Sequence, residues 1–365
     1  MEIRYSVIIP VYNRPNEVDE LLQSLAKQTY RNFEVVVVED GSSVPCRSVV
    51  EKYAGALDLH YLEKKNSGPG LTRNFGAEHS RGEYLIFLDS DCVLPETYLQ
   101  AVEKAVTSEH ADAFGGPDRA HASFTPTQKA INYAMTSFLT TGGIRGGMRK
   151  LDKFYPRSFN MGIKAEVFRT VGGFSDMRFG EDIDFSIRIK KTGCRVLLFP
   201  EAWVWHKRRT DLKKFFKQVY NSGIARIELS KRHFGSLKVI HLLPAAFTVA
   251  VCLLLVCLFV CLFIVAGNLL SIGLAEGGTS VAVQLNEVRY SLWGMLLVLF
   301  PLALFSILIL GDAWLRNRSF KVGLLAVPAS FVQLTGYGSG FISAWWKRCV
   351  LREQAFSAFE KTFYK

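Results

Sequence analysis

From Val239 to Ala266 the chain runs for 28 positions without a charged residue, and the middle of that run reads LLLVCLFVCLFIV. About 20 apolar residues suffice to cross a bilayer as a helix, so this run argues against reading the 365 residues as one soluble globule. Tyr290 to Leu310 is a second uncharged run, of 21 residues. Val322 to Trp346 is a third, of 25, interrupted by Pro328, Gln333, Gly336, Gly338 and Gly340.

The charges between the runs decide how many cross. Loop 267–289 carries Glu276, Glu287 and only Arg289, whereas loop 311–321 carries Arg316, Arg318 and Lys321, and the tail carries Lys347, Arg348, Arg352, Lys361 and Lys365. Cationic loops stay in the cytoplasm. The second loop, the tail and the N-terminal part then share one side, which requires an even number of crossings. We therefore read residues 237–365 as a membrane region with spans near 239–266 and 290–310. Segment 322–346 becomes a re-entrant or interfacial element broken at its glycines, with three full spans as the alternative. Irregular backbone at membrane depth needs protein or a wet cavity beside it, so this segment should pack on the rest of the protein.

Composition agrees. Hydrophobic residues make up 49% and charged residues 21%, with a mean hydropathy of +0.15, which excludes disorder. The net charge of +11 is divided into +6 up to residue 236 and +5 beyond it. A charge excess spread in this way gives no basic face for nucleic acid and suits anionic lipid or phosphorylated substrates. The seven cysteines form no CxxC pair and imply neither a zinc site nor a disulfide frame. MEIRYSVIIPVYN has too short an apolar stretch for a signal peptide, so the first domain is expected to fold in the cytosol.

The first 236 residues alternate buried-strand and amphipathic-helix patterns. Tyr5 to Pro10, Glu34 to Val38, Leu59 to Leu62 and Tyr84 to Leu88 read as strands. Between the first two, Asn16 can cap a helix whose Val18, Leu21, Leu22 and Leu25 share a face. This order implies an α/β fold with a parallel sheet and a ligand at the carboxyl ends of the strands.

Polar residues cluster at those ends. Strand Leu85-Ile86-Phe87-Leu88 leads into Asp89-Ser90-Asp91, two acids that can both reach one hard cation, Mg²⁺ or Mn²⁺, bridging to a diphosphate; helix-capping acids at a loop start are the plainer alternative. Asp40, before Gly41, stands where a carboxylate can accept from a base or ribose, or simply make a turn. Gly68-Pro69-Gly70-Leu71-Thr72-Arg73 opens a helix with a guanidinium suited to diphosphate or a base edge, and it lacks the third glycine of GxGxxG. In Gly180-Glu181-Asp182-Ile183-Asp184-Phe185-Ser186-Ile187-Arg188, Asp184 and Arg188 are spaced as a helix ion pair. Glu181 and Asp182 sit at the positive end of that helix, where a carboxylate could take a proton from an acceptor hydroxyl.

SVIIPVYNRP, VVVVEDGS, SGPGLTRNFGA, FLDSD, VGGF and GEDIDFSIRI, in this order over about residues 4 to 210, resemble the family 2 glycosyltransferases. The resemblance implies a GT-A (nucleotide-diphospho-sugar transferase, Rossmann-like) catalytic domain over residues 1–210, followed by C-terminal transmembrane helices. It implies an inverting transferase that uses a nucleotide-sugar, UDP ahead of GDP or dTDP, and Mn²⁺ or Mg²⁺. Carried over, Pro10, Tyr12, Asp40 and Arg73 would hold the nucleotide, Asp89 and Asp91 the diphosphate and metal, and Asp182 would be the general base with Glu181 in support. His206 falls where relatives often place a histidine near the metal or diphosphate, although a lone histidine is often structural. The processive members carry QxxRW; here Gln218-Val219-Tyr220-Asn221-Ser222 has neither the Arg nor the Trp, which favours transfer of single sugars.

Residues 211–236 read as a basic amphipathic helix. Leu212, Phe215, Phe216, Val219, Tyr220, Gly223, Ile224 and Ile227 recur at helical spacing, flanked by Lys207, Arg208, Arg209, Lys213, Lys214 and Lys217. It would lie in the headgroup layer or, alternatively, pack on the catalytic domain. A multi-pass protein of the cell membrane with a cytoplasmic catalytic domain follows, acting on a lipid-linked or polysaccharide acceptor. Two rival functions stay open: a polyprenyl-phosphate glycosyltransferase, and a non-catalytic nucleotide-sugar-binding subunit.

Overall fold

The computed structural model describes residues 3–121, 123–142, 154–274 and 278–353; Glu276, Lys361 and Lys365 of the charge argument lie outside the described residues. Strands β1 (Tyr5–Val11), β2 (Phe33–Asp40), β3 (Asp58–Lys64) and β4 (Tyr84–Leu88) alternate with helices α1 (Pro15–Ala26), α2 (Arg47–Glu51) and α3 (Pro69–Glu78). Then come β5 (Cys92–Val93), α4 (Tyr98–Glu109), β6 (Ala113–Gly115), β7 (Asp118–Arg119), α5 (Pro126–Thr136), α6 (Phe138–Thr141) and β8 (Asn160–Lys164). Helices α7 (Ala165–Val171) and α8 (Glu181–Lys191) and strands β9 (Val196–Leu198) and β10 (Val204–His206) precede four long helices, α9 (Leu212–Arg232), α10 (Leu243–Leu274), α11 (Gly278–Asn317) and α12 (Phe320–Trp345).

The larger sheet has the order β3-β2-β1-β4-β8-β6-β9. Period-2 alternation splits its core into two layers. Val7, Ile9, Val35, Val37 and Ile86 face α1 and α4, while Ile8, Val36, Val38, Leu85 and Phe87 face the side of Phe168, Phe174 and Phe185. Each fully buried apolar side chain contributes about 1.5–3 kcal/mol, and both faces of β2 are covered, which is why VVVV needs no polar alternation. The expected parallel order holds for β1 to β4. The sheet as a whole is mixed, because β8 runs antiparallel to both β4 and β6. Chain order reverses at β1, which has β2 on one side and β4 on the other, so a crevice opens at their carboxyl ends.

Helix α1 buries Val18, Leu21, Leu22 and Leu25 as expected, but its N-cap is Arg14, not Asn16. Pro15 takes the first helical position, where its missing N–H costs nothing.

Among the described residues two helices are long and apolar enough to cross a membrane, Val239–Ile272 and Ala282–Asn317. Their surfaces stay apolar and exposed, with Phe259 at 69% and Leu297 at 73%. Helix α12 corrects one expectation: it is unbroken through its glycines. Those glycines are contact points. A Cβ on Gly340 would stand 2.1 Å from the Tyr220 carbonyl oxygen, and one on Gly223 would stand 2.2 Å from that of Tyr337. Backbones of α9 and α12 therefore touch directly.

The same packing corrects the picture of α9. Val219, Gly223, Ile224 and Ile227, offered to lipid in the sequence reading, are buried, and Ile224 and Ile227 lie against Phe341 of α12. Of the flanking cations, Lys207 pairs with Glu20, Arg208 with Asp118, and Arg209 faces Asp91. Lys213 and Lys214 stay in solvent. An apolar face finds a better partner in a small-residue helix of its own chain than in headgroups.

Candidate active site

The carboxyl ends of β1, β2 and β4 bring the first group of expected residues together. Pro10 lies within β1, paired to Val38, and Tyr12 follows the strand end. Asp40 closes β2 opposite Lys64 of β3. That register explains its partners: Lys64 Nζ donates to Oδ1 at 2.8 Å, Ser67 N at 2.9 Å, and Gly68 N donates to Oδ2 at 3.0 Å. Asp40 thus clamps the loop that opens α3. Gly41 has φ +73°, and a Cβ there would meet Asn66 N at 2.8 Å, so only glycine makes this turn.

Arg73, on α3, is buried and donates to Asp89 Oδ1 at 2.6 Å and to Glu181 Oε1 at 3.0 Å; its Nε has no partner. One guanidinium thereby joins the loop after β4 to the start of α8, two segments 92 residues apart in sequence.

The two acids of Asp89-Ser90-Asp91 face different partners. Asp91 accepts from Arg14 Nη1 at 2.6 Å, has Arg209 at 3.8 Å, and places Oδ1 3.1 Å from His206 Nε2. Strand pairing makes this last contact, since His206 of β10 stands opposite Cys92 of β5. Burial alone would raise the Asp91 carboxyl, but His206, Arg14 and Arg209 outweigh it and hold the group far below the usual carboxylate range. Asp91, Cys92 and His206 offer ligand atoms within 4.8 Å of one another, and Asp89, turned to Arg73, is not among them. In this arrangement Asp89 turns to Arg73 and Asp91 to His206.

At the start of α8, Glu181 and Asp182 are both buried in the first turn. Asp182 accepts from Arg157 Nε at 2.5 Å and from Ile183 N at 2.8 Å. Burial raises its carboxyl, yet Arg157, Arg73 and the Ile183 N–H together bring it below the ordinary value. Glu181 goes the other way: burial first, then the Asp182 charge, push it up to about 7 against the pull of Arg73. Two adjacent carboxyls with separated proton affinities are the pattern of an acid–base site. Asp184 forms the expected ion pair with Arg188 at 2.9 Å and also accepts from His233 Nε2 at 2.8 Å, which ties α8 to the end of α9.

Sequence reasoning missed Arg14, Arg157 and Arg209 as site residues. Arg14 could have been found, because it follows Tyr12-Asn13 at the end of β1. Arg157 has no spacing signal to Asp182, and Arg209 was absorbed into a basic run read as lipid-facing.

Residues 6–172 match the family described as Glycosyl transferase family 2. This segment of the chain is similar to the family 2 glycosyltransferases. Among its relatives is the poly(ribitol-phosphate) beta-N-acetylglucosaminyltransferase TarS of Staphylococcus aureus, 39% identical over 114 residues, which are 30% of this chain and 20% of TarS. A glycosyltransferase of Haemophilus influenzae is 33% identical over 191 residues, 50% of this chain and 61% of that one. The match spans only a fifth of TarS. The fold is that of the mannosyltransferase PcManGT from Pyrobaculum calidifontis, solved in complex with GDP-Man and Mn²⁺, at 15% identity and a TM-score of 0.54 over 94% of this chain and 88% of that one.

The residues present fit a divalent cation of the kind this family implies. Asp91 Oδ1 is buried and accepts no hydrogen bond, while His206 Nδ1 is likewise without a partner. Carboxylate with imidazole suits Mn²⁺ and leaves positions for phosphate oxygens. Burial, with the charges of Asp91 and Asp89, pushes the Cys92 thiol up.

Proposed function

We propose that this chain moves a sugar, with inversion, from a nucleotide-diphosphate donor, a UDP-sugar in the first instance, to a hydroxyl of a membrane-associated, lipid-linked glycan. The observation that carries this reading is the Arg73 bridge, which sets the acid-rich loop after β4 beside the Glu181-Asp182 pair in one crevice. The similarity to TarS, a beta-N-acetylglucosaminyltransferase, supports sugar transfer.

Pro10, Tyr12 and Asp40 would receive the nucleoside, with Arg73 and Asp89 near the diphosphate. Asp91 and His206 would hold Mn²⁺ or Mg²⁺, which when bound neutralises charge on the leaving diphosphate. Asp182 is the carboxyl that stays ionised at neutral pH. It takes the proton of the acceptor hydroxyl as that oxygen bonds to the anomeric carbon and the carbon–phosphate oxygen bond breaks. Arg157 and Ile183 N–H hold the carboxylate in place, and Glu181, partly protonated near pH 7, keeps the pair from carrying two full charges. The long apolar helices α10 and α11, with cationic loops on one side, support a multi-pass protein of the cell membrane with its catalytic domain in the cytoplasm.

The test is a panel of UDP-, GDP- and dTDP-sugars offered to the purified protein with and without Mn²⁺, scoring donor cleavage. Cleavage of one preferred donor, lost on chelation and in Asp91→Asn, is expected. Absence of any preferred donor would overturn the reading.

A further inference from the structure

The head of α10 gathers hydrogen-bond donors that no acid of the chain answers. Lys238 is the last residue before the apolar helix Val239–Ile272, and its backbone N–H donates to His241 Nδ1 at 3.0 Å. An imidazole that accepts on Nδ1 carries its proton on Nε2, so His241 presents an N–H there. Arg226 of α9 completes the group: its charge and that of Lys238 both reach His241, and no carboxylate does. Among the described residues neither Arg226 nor Lys238 is in an ion pair with an acid, and Arg226 Nε is buried with no hydrogen-bond partner.

Neighbouring arginines are treated differently. Arg232, one and a half turns further along α9, pairs with Asp176 at 3.1 Å, and Arg348 binds Glu228 at 2.6 and 3.0 Å. A half-buried guanidinium without such a partner bears an uncompensated desolvation cost. Guanidinium, ammonium and imidazole N–H together supply only donors, which is the complement of a phosphate.

The surroundings say what carries that phosphate. Val239 is 76% exposed, and Leu242 and Leu243 are exposed beside it. Ile240 lies against the end of α6, where a Cβ on Gly142 would stand 2.7 Å from its Cδ1, and α6 turns out Phe138 at 70% exposure. A free anion would satisfy the donors and leave this apolar surface uncovered. An amphiphile with an anionic head covers both.

We propose that Arg226, Lys238 and His241 bind the phosphate of an anionic membrane phospholipid whose acyl chains run along the exposed side of α10. This rests on the membrane reading above and not on the transfer chemistry. It gives α9 a second role: Ala225, the residue before Arg226, stands 3.2 Å from the position of a Cβ on Gly180, which precedes Glu181-Asp182. A lipid held on Arg226 would fix α9, and the start of α8 with it, at the level of the headgroups.

The experiment uses the full chain in dodecyl maltoside at about 0.15 M salt, where exposed charges are screened beyond about 8 Å, with no donor present. Native mass spectrometry measures Kd for dioleoyl phosphatidylglycerol and dioleoyl phosphatidylcholine, with inorganic phosphate as competitor. Phosphatidylglycerol should bind about fivefold or more tightly than phosphatidylcholine and should not be displaced by an equal concentration of inorganic phosphate. Arg226→Gln should raise the phosphatidylglycerol Kd about tenfold. Lys238→Gln should raise it about fivefold; Lys238 is exposed, so this variant decides the matter if the Arg226 variant does not fold. Lys213→Gln, about 20 Å away along α9, should change it by less than about twofold. Equal Kd values for the two lipids, an unchanged phosphatidylglycerol Kd in both site variants, an equal loss in Lys213→Gln, or displacement by inorganic phosphate would overturn the proposal, the last by giving the site to a free anion. Retention of the chain in alkali-washed membranes tests the spans separately. A chain that washes off removes the membrane reading and this site together, whereas a retained chain without lipid preference removes the site alone.

Discussion

Replacing Arg73 by Gln removes the guanidinium that holds Asp89 and Glu181 together. The Arg73 side chain is 3% exposed, Glu181 9% and Asp89 31%. Breaking a buried pair by deleting one partner costs roughly 3–5 kcal/mol. Two features reduce that here: Asp89 is nearly a third solvated, and Glu181 can discard its charge by taking a proton. About 2–3 kcal/mol at pH 8 is then expected, which is about 5–10 °C in Tm for a domain of this size.

The sign of the pH dependence follows from Glu181. Its folded value, about 7, lies above the ordinary carboxylate value, so its neutral form is favoured in the fold. Its stabilising contribution is complete below the unfolded value and is lost as pH rises through 7. Without Arg73 the folded value rises further and the loss above pH 7 deepens. Paired thermal melts of the two proteins at pH 5 and pH 8 should show a small difference at pH 5, about 1 kcal/mol, growing at pH 8. A difference equal at both values, or under about 2 °C at pH 8, would refute the buried-bridge reasoning.

Arg157→Gln should release the Asp182 carboxyl upward, moving the acidic limb of the pH–rate profile to higher pH by about 1–3 units; an unmoved limb would detach Arg157 from the base. Gly340→Ala places a methyl against the Tyr220 carbonyl and should cost about 1–3 kcal/mol, read as a lower Tm, whereas Gly267→Ala, with nothing within 4 Å, should cost nothing.

Much of the fold was legible because its signals are local. VVVV in β2, LIFL in β4 and the face of Val18, Leu21, Leu22 and Leu25 each carry their own periodicity, and the uncharged runs became α10 and α11. What was not legible depended on pairing between distant segments. The apolar stripe of α9 is the same string whether it meets lipid or α12; Gly340, where the Tyr220 backbone approaches, and Gly336, where the Val219 and Phe216 side chains do, mark the second. The site divides in the same way. Asp40, Arg73, Asp182 and His206 announce themselves at element ends, but the side chain each one meets does not. The split between Asp89 and Asp91 comes from Arg73, within α3, and Arg14, at the N-cap of α1.

In the proposed mechanism Asp182 removes the acceptor proton while the donor is held elsewhere, by Asp91, His206 and Arg73. Asp182→Asn, with the preferred donor and Mn²⁺, measures it: donor Kd by titration calorimetry beside the rate of transfer. An unchanged Kd and a rate lower by about 10²–10⁴ are expected. Transfer at the original rate, or loss of donor binding together with activity, would contradict it.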